Sequence, residues 1–310
     1  MPKKAKFKPF AGLPARAQTD LEGAKVAILG IAEASPYDPS QPSHSALAPA
    51  AIRRASRLFV GQTQQLDFDT GATLFENPAE TRGIVDLGDL DGLRLTDAPA
   101  NRARITEAVR AILDAGAVPV VLGGDDSVPI PMFAAYEGRG PLTVVQVDAH
   151  VDWGDVIRDN PYGYGSTMRR AADLPWISNM VQIGIRGLGS GTADQIADAK
   201  AWGSQLFTGT DLRRLGMESA IDRIPAGTDC IVAIDCDGID PCAMPAVAMP
   251  TPGGPGYQDI LDLLHGIAGK ARIAGLALVE LVPERDIGDI GALHAARIVL
   301  TAVGLIRNAM

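Results

Sequence analysis

The sequence predicts an α/β fold: a three-layer α/β/α sandwich with a central, mostly parallel sheet. Three observations carry that reading. Short β-rich runs alternate with longer amphipathic segments along the chain. The short runs are apolar without alternating apolar and polar residues, as strands buried on both faces are. Parallel strands also need long crossovers, and the interleaved amphipathic segments supply them as helices.

In chain order, KVAILG (25–30) is the first strand. Residues 35–50, SPYDPSQPSHSALAPA, are dense in turn-forming residues and predict a long surface loop. NRARITEAVRAILDAG (101–116) carries apolar residues at helical spacing and leads into the strand VPVVLGG (118–124). LTVVQVD (142–148) and MVQIGIR (180–186) are the next strands, and TADQIADAKAWG (192–203) the helix after them. CIVAIDCD (230–237) is a strand followed by the helix YQDILDLLHGIAGK (257–270). ARIAGLALVE (271–280) and IGALHAARIVLTAVGLI (290–306) close the chain as strand and helix. With 310 residues and 46% hydrophobic content, residues 24–310 are expected to share one core as a single domain behind an N-terminal extension, 1–23.

A formal charge of −9 argues against nucleic acid and anionic membrane surfaces as partners, since both select for Lys and Arg patches. A small cation is the better electrostatic match. Cys230, Cys236 and Cys242 fit neither a zinc knuckle nor a disulfide framework and read as reduced thiols of a cytoplasmic protein. The basic start MPKKAKFKPF leads into no apolar signal region, and no run approaches the roughly 18 apolar residues of a membrane span.

Acidic residues collect at the C-terminal ends of four strands, where open parallel sheets place their ligand sites. VPVVLGG runs into Asp125 and Asp126, and LTVVQVD into Asp148, His150 and Asp152. CIVAIDCD delivers Asp235 and Asp237, then Asp240, and ARIAGLALVE ends in Glu280. With a period of two, Asp148, His150 and Asp152 share a side, as do Asp235 and Asp237. So many like charges facing one crevice repel unless cations sit among them, which points to a metal site.

These residues also carry a family resemblance. VLGGDDS, VDAHVDWGD and AIDCDGIDP resemble the three ureohydrolase signatures (arginase, agmatinase and relatives), written GGDHS, DAHxD and SxDxDxxDP. APAAIR (48–53), GYGSTMRRA (163–171), MPTPGG (249–254) and LVELVPERD (278–286) resemble further family motifs in the same order. The chain looks nearest to bacterial agmatinase-like members. The resemblance implies an arginase-like fold and two divalent ions, Mn²⁺ first and Ni²⁺ as the alternative. Asp126, Asp148, Asp152 and Asp235 would hold one; Asp148, His150, Asp235 and Asp237 would hold the other. It implies water attack on a guanidinium carbon, with Glu280 gripping the guanidinium, Asp152 carrying the proton, and urea and an amine released.

Two positions depart from the family pattern. Asp126 stands where a histidine ligand is usual, and Tyr164 where a histidine is credited with shuttling protons. Phenol titrates near pH ~10, so Tyr164 can orient substrate but cannot relay protons at neutrality. Trp153, Tyr162 and Tyr164 are expected to line the mouth for a cationic guanidine.

The remaining polar residues have plainer expected roles. Asp125 caps its loop and Asp240 a turn; His44 reads by default as a surface histidine, although its loop could approach the pocket; His265 and His294 pack in helices. The cysteines pack, with Cys236 turned away from the metals, and Asp155 pairs with Arg158 in solvent. The expected assembly is a homo-oligomer, trimer or hexamer, using the closing helix and the 35–50 loop. A second reading, from the two replaced histidines, is a non-catalytic subunit that supports an active paralogue in a hetero-oligomer.

Overall fold

The computed structural model describes residues 7–75 and 80–310. Residues 1–6 of the expected extension lie outside them. The first half of the chain holds β1 (Val26–Ile31), α1 (Ala48–Ser56), a small hairpin β2 (Leu66–Asp67) and β3 (Ala72–Thr73), β4 (Ile84–Asp89), α2 (Ala98–Asp114), β5 (Val118–Gly123), α3 (Pro129–Ala134) and β6 (Leu142–Val147). The second half holds α4 (Thr167–Ala172), β7 (Ile177–Ile185), α5 (Ala193–Trp202), β8 (Gln205–Thr208), α6 (Gly209–Leu215), α7 (Glu218–Ile221), β9 (Asp229–Asp235), α8 (Tyr257–Lys270), β10 (Arg272–Val279) and α9 (Ile290–Asn308).

Eight strands form one parallel sheet in the order β4-β1-β5-β10-β9-β6-β7-β8. Successive side chains of a strand point to opposite faces. Val120, Leu122, Val232 and Ile234 accordingly enter a core beneath α1, α8 and α9. Val121, Ile231 and Ala233 enter a second core beneath α2 and α3. Two cores on either side of one sheet make the three-layer sandwich that the sequence predicts. Truncating a fully buried residue such as Ile234 to Ala should cost about 2–5 kcal/mol.

All six expected strands are present. The two main-sheet strands not anticipated, β4 and β8, are its edges. Their sequences carry a weaker apolar signal for different reasons: β8 is half-buried throughout, while β4 is almost wholly buried but includes Asp86 and Gly88.

Three expectations need correction. The 35–50 loop ends at Leu47, where α1 begins, and it does not lie wholly on the surface. Its Asp38, Ser40 and Gln41 bond one another at the exposed tip. Ser35 and Ser45 are fully buried, because the loop folds back over the C-terminal edge of the sheet. α9 is also long and apolar enough, by length and composition, to cross a membrane, contrary to the expectation that no segment approaches this. Most of it is buried in the core, so its apolar side is largely used internally. Finally, part of the expected N-terminal extension is core. Phe10 and Leu13 are buried, and the Phe10 N–H donates to Asp86 Oδ2 at 2.7 Å. The same carboxylate receives Arg53 of α1 at 2.9 Å.

Candidate metal centre

In a parallel sheet every strand delivers its C-terminal end to the same edge. The four central neighbours, β5, β10, β9 and β6, are followed or ended by Asp126, Glu280, Asp235 and Asp148. Residues more than 150 positions apart are thereby brought together: the Asp126 N–H donates to Glu280 Oε1 at 2.8 Å.

Close approach of the loops is what permits this. A Cβ on Gly124 would lie 1.7 Å from the Ala32 carbonyl oxygen, and one on Gly238 would lie 2.5 Å from the Asp148 nitrogen. Glu280 and Asp152 adopt left-handed backbone, φ +64° and +46°, which non-glycine residues rarely occupy. Such strain persists where the surroundings over-determine it, as they commonly do at ligand sites.

Beside Glu280, six further acidic or imidazole side chains that the sequence marked as ligands gather at this edge. Asp148, His150 and Asp237 form one group that could hold a metal ion, and Asp126, Asp148 and Asp152 a second, each with ligand atoms within 4.8 Å of one another. Asp148 is common to both. His150 Nδ1 lies 3.3 Å from Asp148 Oδ1 and from Asp237 Oδ2. Asp235 stands outside both tight groups but opens on the same cleft, and its Oδ1 accepts the Asp237 N–H at 2.7 Å. Asp126 Oδ2 is buried without a hydrogen-bond partner among the described residues.

One detail differs from the sequence reading. β6 stops at Val147, so Asp148, His150 and Asp152 do not alternate along a strand. They converge because the chain turns after β6 and Asp152 takes its left-handed conformation.

The electrostatics follow from burial. Loss of water and then the neighbouring carboxylates push Asp126, Asp148 and Asp235 well above the usual carboxylate range. Burial also raises Asp152, opposed by a hydrogen bond with Asp148. For His150 burial acts downward, but the hydrogen bond and charge of Asp237, helped by Asp152 and Glu280, carry it up to about 9.

The groups open into a cleft of about 340 Å³, walled by His44, Trp153, Ile157, Tyr164, Gln195 and Met249. That volume suits a small molecule. His44, whose default reading was a surface histidine, takes the other placement its loop allowed and reaches the cleft. Its Nε2 meets Glu280 Oε2, and the two share a short hydrogen bond. The signal was available, because the loop that carries it leaves β1 at the same C-terminal edge as the acidic loops.

A profile of the Arginase family matches residues 24–304. The chain belongs to the arginase family. Proclavaminate amidinohydrolase from Streptomyces clavuligerus is 30% identical over 307 residues, covering 96% of this chain and 92% of that protein. The solved structure of that enzyme superposes with a TM-score of 0.83 at 26% identity, covering 100% of both chains. The mitochondrial agmatinase of Gallus gallus is 30% identical over 292 residues, 91% of this chain and 81% of that protein. Guanidinopropionase of Pseudomonas aeruginosa is 32% identical over 226 residues, 69% of each. The ureohydrolase resemblance and its arginase-like fold therefore hold.

Around this family site the plainer expectations mostly stand. Asp125 accepts from Ser127, and Asp240 accepts from the Cys242 and Gly253 N–H groups at 3.0 and 2.7 Å. Cys236 enters the core beneath α1, α8 and α9, and His294 Nδ1 bonds the Ala243 carbonyl at 2.6 Å.

Three expectations fail. Tyr162 does not wall the cleft; its ring lies under the Arg102 guanidinium at 4.0 Å. Tyr37 takes the neighbouring place, edge-on to Tyr164 at 4.4 Å. Asp155 pairs with Arg170 and not with Arg158, which sits 5.7 Å from the Tyr37 ring. Cys242 is exposed, because it lies on the turn that Asp240 caps and not on the strand.

Proposed function

We propose that the protein is a dinuclear-metal amidinohydrolase that cleaves a C–N bond of a guanidino compound to give urea and an amine. The observation that carries this reading is two ligand groups sharing Asp148, with the buried Asp126 Oδ2 beside them lacking any partner. A buried ionised carboxylate needs a counter-charge, and a divalent cation is one these residues fit. Oxygen donors with one imidazole and no thiolate suit Mn²⁺, with Ni²⁺ as the alternative. Asp126, Asp148 and Asp152 would hold one ion and Asp148, His150 and Asp237 the other, with Asp235 completing both. When bound, such a pair supplies a water acidified enough to attack at neutral pH.

The chain's own side chains account for the remaining steps. Glu280 offers Oε2 to the cleft, where a guanidinium would exchange with His44 and dock its planar fork on the carboxylate. Asp152 takes the proton of the attacking water and returns it to the departing nitrogen. The C–N bond breaks as that proton arrives, so urea keeps the water oxygen and the amine leaves. Burial raises the Tyr164 phenol above its usual value, so it stays protonated and orients substrate. Trp153 and Tyr164 give the cation an aromatic wall.

The names of the relatives, agmatinase and guanidinopropionase among them, support a guanidino substrate: agmatine, a guanidino acid or a substituted guanidine. We place the enzyme in the cytoplasm as a homo-oligomer. The replaced histidines leave room for a non-catalytic subunit, but retention of five buried or half-buried aspartates around one cleft favours catalysis.

The test is urea release from these three substrate classes by Mn-loaded and Ni-loaded protein. Turnover of at least one class is expected. Metal-loaded protein that releases urea from none of them would favour the non-catalytic reading.

A further inference from the structure

Below the cleft, three buried side chains outside the ligand set form a line of hydrogen bonds across the sheet. Gln146 on β6 and Gln182 on β7 are register partners, and Ser204 immediately precedes β8. Gln146 and Gln182 stand on the same face as Val144 and Met180, in the otherwise apolar core beneath α2 and α3. They are 1% and 0% exposed, and Ser204 is 5%. Buried amides in such surroundings are tolerated only when every polar atom is matched, and here each is.

Ser204 Oγ donates to Gln182 Oε1 at 2.7 Å. Gln182 Nε2 donates to Gln146 Oε1 at 2.7 Å and to the Val151 carbonyl at 2.9 Å. Gln146 Nε2 donates to Asp148 Oδ2 at 2.7 Å and to Asp152 Oδ2 at 2.9 Å.

The direction of this line is dictated from one end. Carboxylates that hold a cation can only accept, so Gln146 must turn its amide nitrogen toward them. Its oxygen then needs a donor, which only the Gln182 nitrogen supplies. The Gln182 oxygen in turn needs the Ser204 hydroxyl. Flipping either amide would set oxygen against oxygen.

We propose that Ser204, Gln182 and Gln146 are positioning residues that orient Asp148 and Asp152 as ligands of the carboxylate-only group. This rests on the metal reading above. One amide nitrogen ties two aspartates that would otherwise repel. The second Gln182 N–H holds the carbonyl of Val151, the residue before the left-handed Asp152, so side chain and backbone of that ligand are fixed by one line.

The test is calorimetric titration of chelator-treated protein with Mn²⁺, with the melting temperature of each metal-free variant measured alongside. Wild type is expected to take two ions. Gln146→Met keeps the volume and removes both donors; it should weaken the carboxylate-only site by about 10- to 100-fold, the usual effect of losing a ligand's outer partner, and the His150 site, which shares only Asp148, by less. Gln182→Glu is isosteric and touches no ligand, yet its carboxylate cannot donate to Gln146, so it should weaken the carboxylate-only site as well. Ser204→Ala should do so by less.

Two-ion binding at wild-type affinity in both glutamine variants would overturn the proposal while leaving the metal reading intact. Equal weakening of both sites with a lowered metal-free melting temperature would also overturn it, showing that the line only supports the fold. A wild type that binds no Mn²⁺ or Ni²⁺ would remove the metal reading and this inference with it.

Discussion

The two ligand groups that share Asp148 differ in how they balance charge. Around Asp148, His150 and Asp237 the protein carries its own cation: His150, raised to about 9, lies 3.3 Å from both carboxylates. Around Asp126, Asp148 and Asp152 there are only carboxylates, one oxygen of Asp126 has no partner, and Gln146 is a neutral donor. The first group can stay intact without metal as an imidazolium flanked by aspartates. The second needs either bound protons or a divalent ion. A site with one self-sufficient half and one dependent half should load, titrate and fail in two distinguishable ways.

The largest effect is expected where the halves meet. Asp148→Asn should weaken both ions by more than the roughly 100-fold that an outer partner contributes, and urea release should fall with it. His150→Ala and Asp126→Ala should each abolish one binding event in a metal titration and spare the other. Loss of both ions from either variant would break the distinction between the groups.

Next in size is the grip on substrate. Glu280→Gln should raise KM about 10- to 100-fold, matching the roughly 1.5–3 kcal/mol of hydrogen bonds to a charged group, with a smaller change in kcat. The hydrogen bond to Glu280 raises the His44 imidazole above its usual value, against burial. Protonated His44 therefore competes with guanidinium for Glu280, and KM should fall as pH rises above about 6.5 through that raised value. His44→Asn should flatten this dependence, as read from KM across a pH series.

The acid side of the comparison is a stability measurement. Asp126, Asp148 and Asp235 have folded-state values above those of the unfolded chain. Their contribution is therefore fully present below about pH 4 and is lost as pH rises through the folded values. Metal-free wild type should lose melting temperature relative to Asp126→Asn as pH climbs from about 4 to 7. Added Mn²⁺ should reverse the order, because only the ionised aspartate gains a cation. The same relative stability with and without Mn²⁺ would argue that Asp126 is not a ligand.

The smallest expected effect is at Tyr164. Because burial keeps its phenol protonated, Tyr164→Phe should change kcat only a few-fold, on the order of one lost neutral hydrogen bond. A change in the shape of the pH–rate profile would instead mark Tyr164 as a proton carrier.

Much of this was legible in the sequence, for identifiable reasons. β1, β5, β6, β9 and β10 are buried on both faces, so their apolar runs stand out, and the acids at their ends mark the edge that becomes the site. β4 and β8 are the edge strands: β8 is half-buried, and the buried β4 is interrupted by Asp86 and Gly88, so their composition says less. His44 read by default as a surface residue because a Pro- and Ser-rich segment reads as solvent-facing, although the strand it follows delivers it to the cleft. Gln146 and Gln182 sat inside strand runs read for their apolar neighbours. Their role depends on register across β6 and β7, a non-local fact that no single segment contains.

The central claim, that two ions share Asp148, is tested most directly by an anomalous-difference map from Mn-soaked crystals. The expected result is two peaks roughly 3.5–4 Å apart, the spacing of two-metal sites. Asp148 should bridge them, Asp126 and Asp152 should touch one, and His150 and Asp237 the other. A single peak beside His150, with Asp126 Oδ2 still unpartnered, would contradict it.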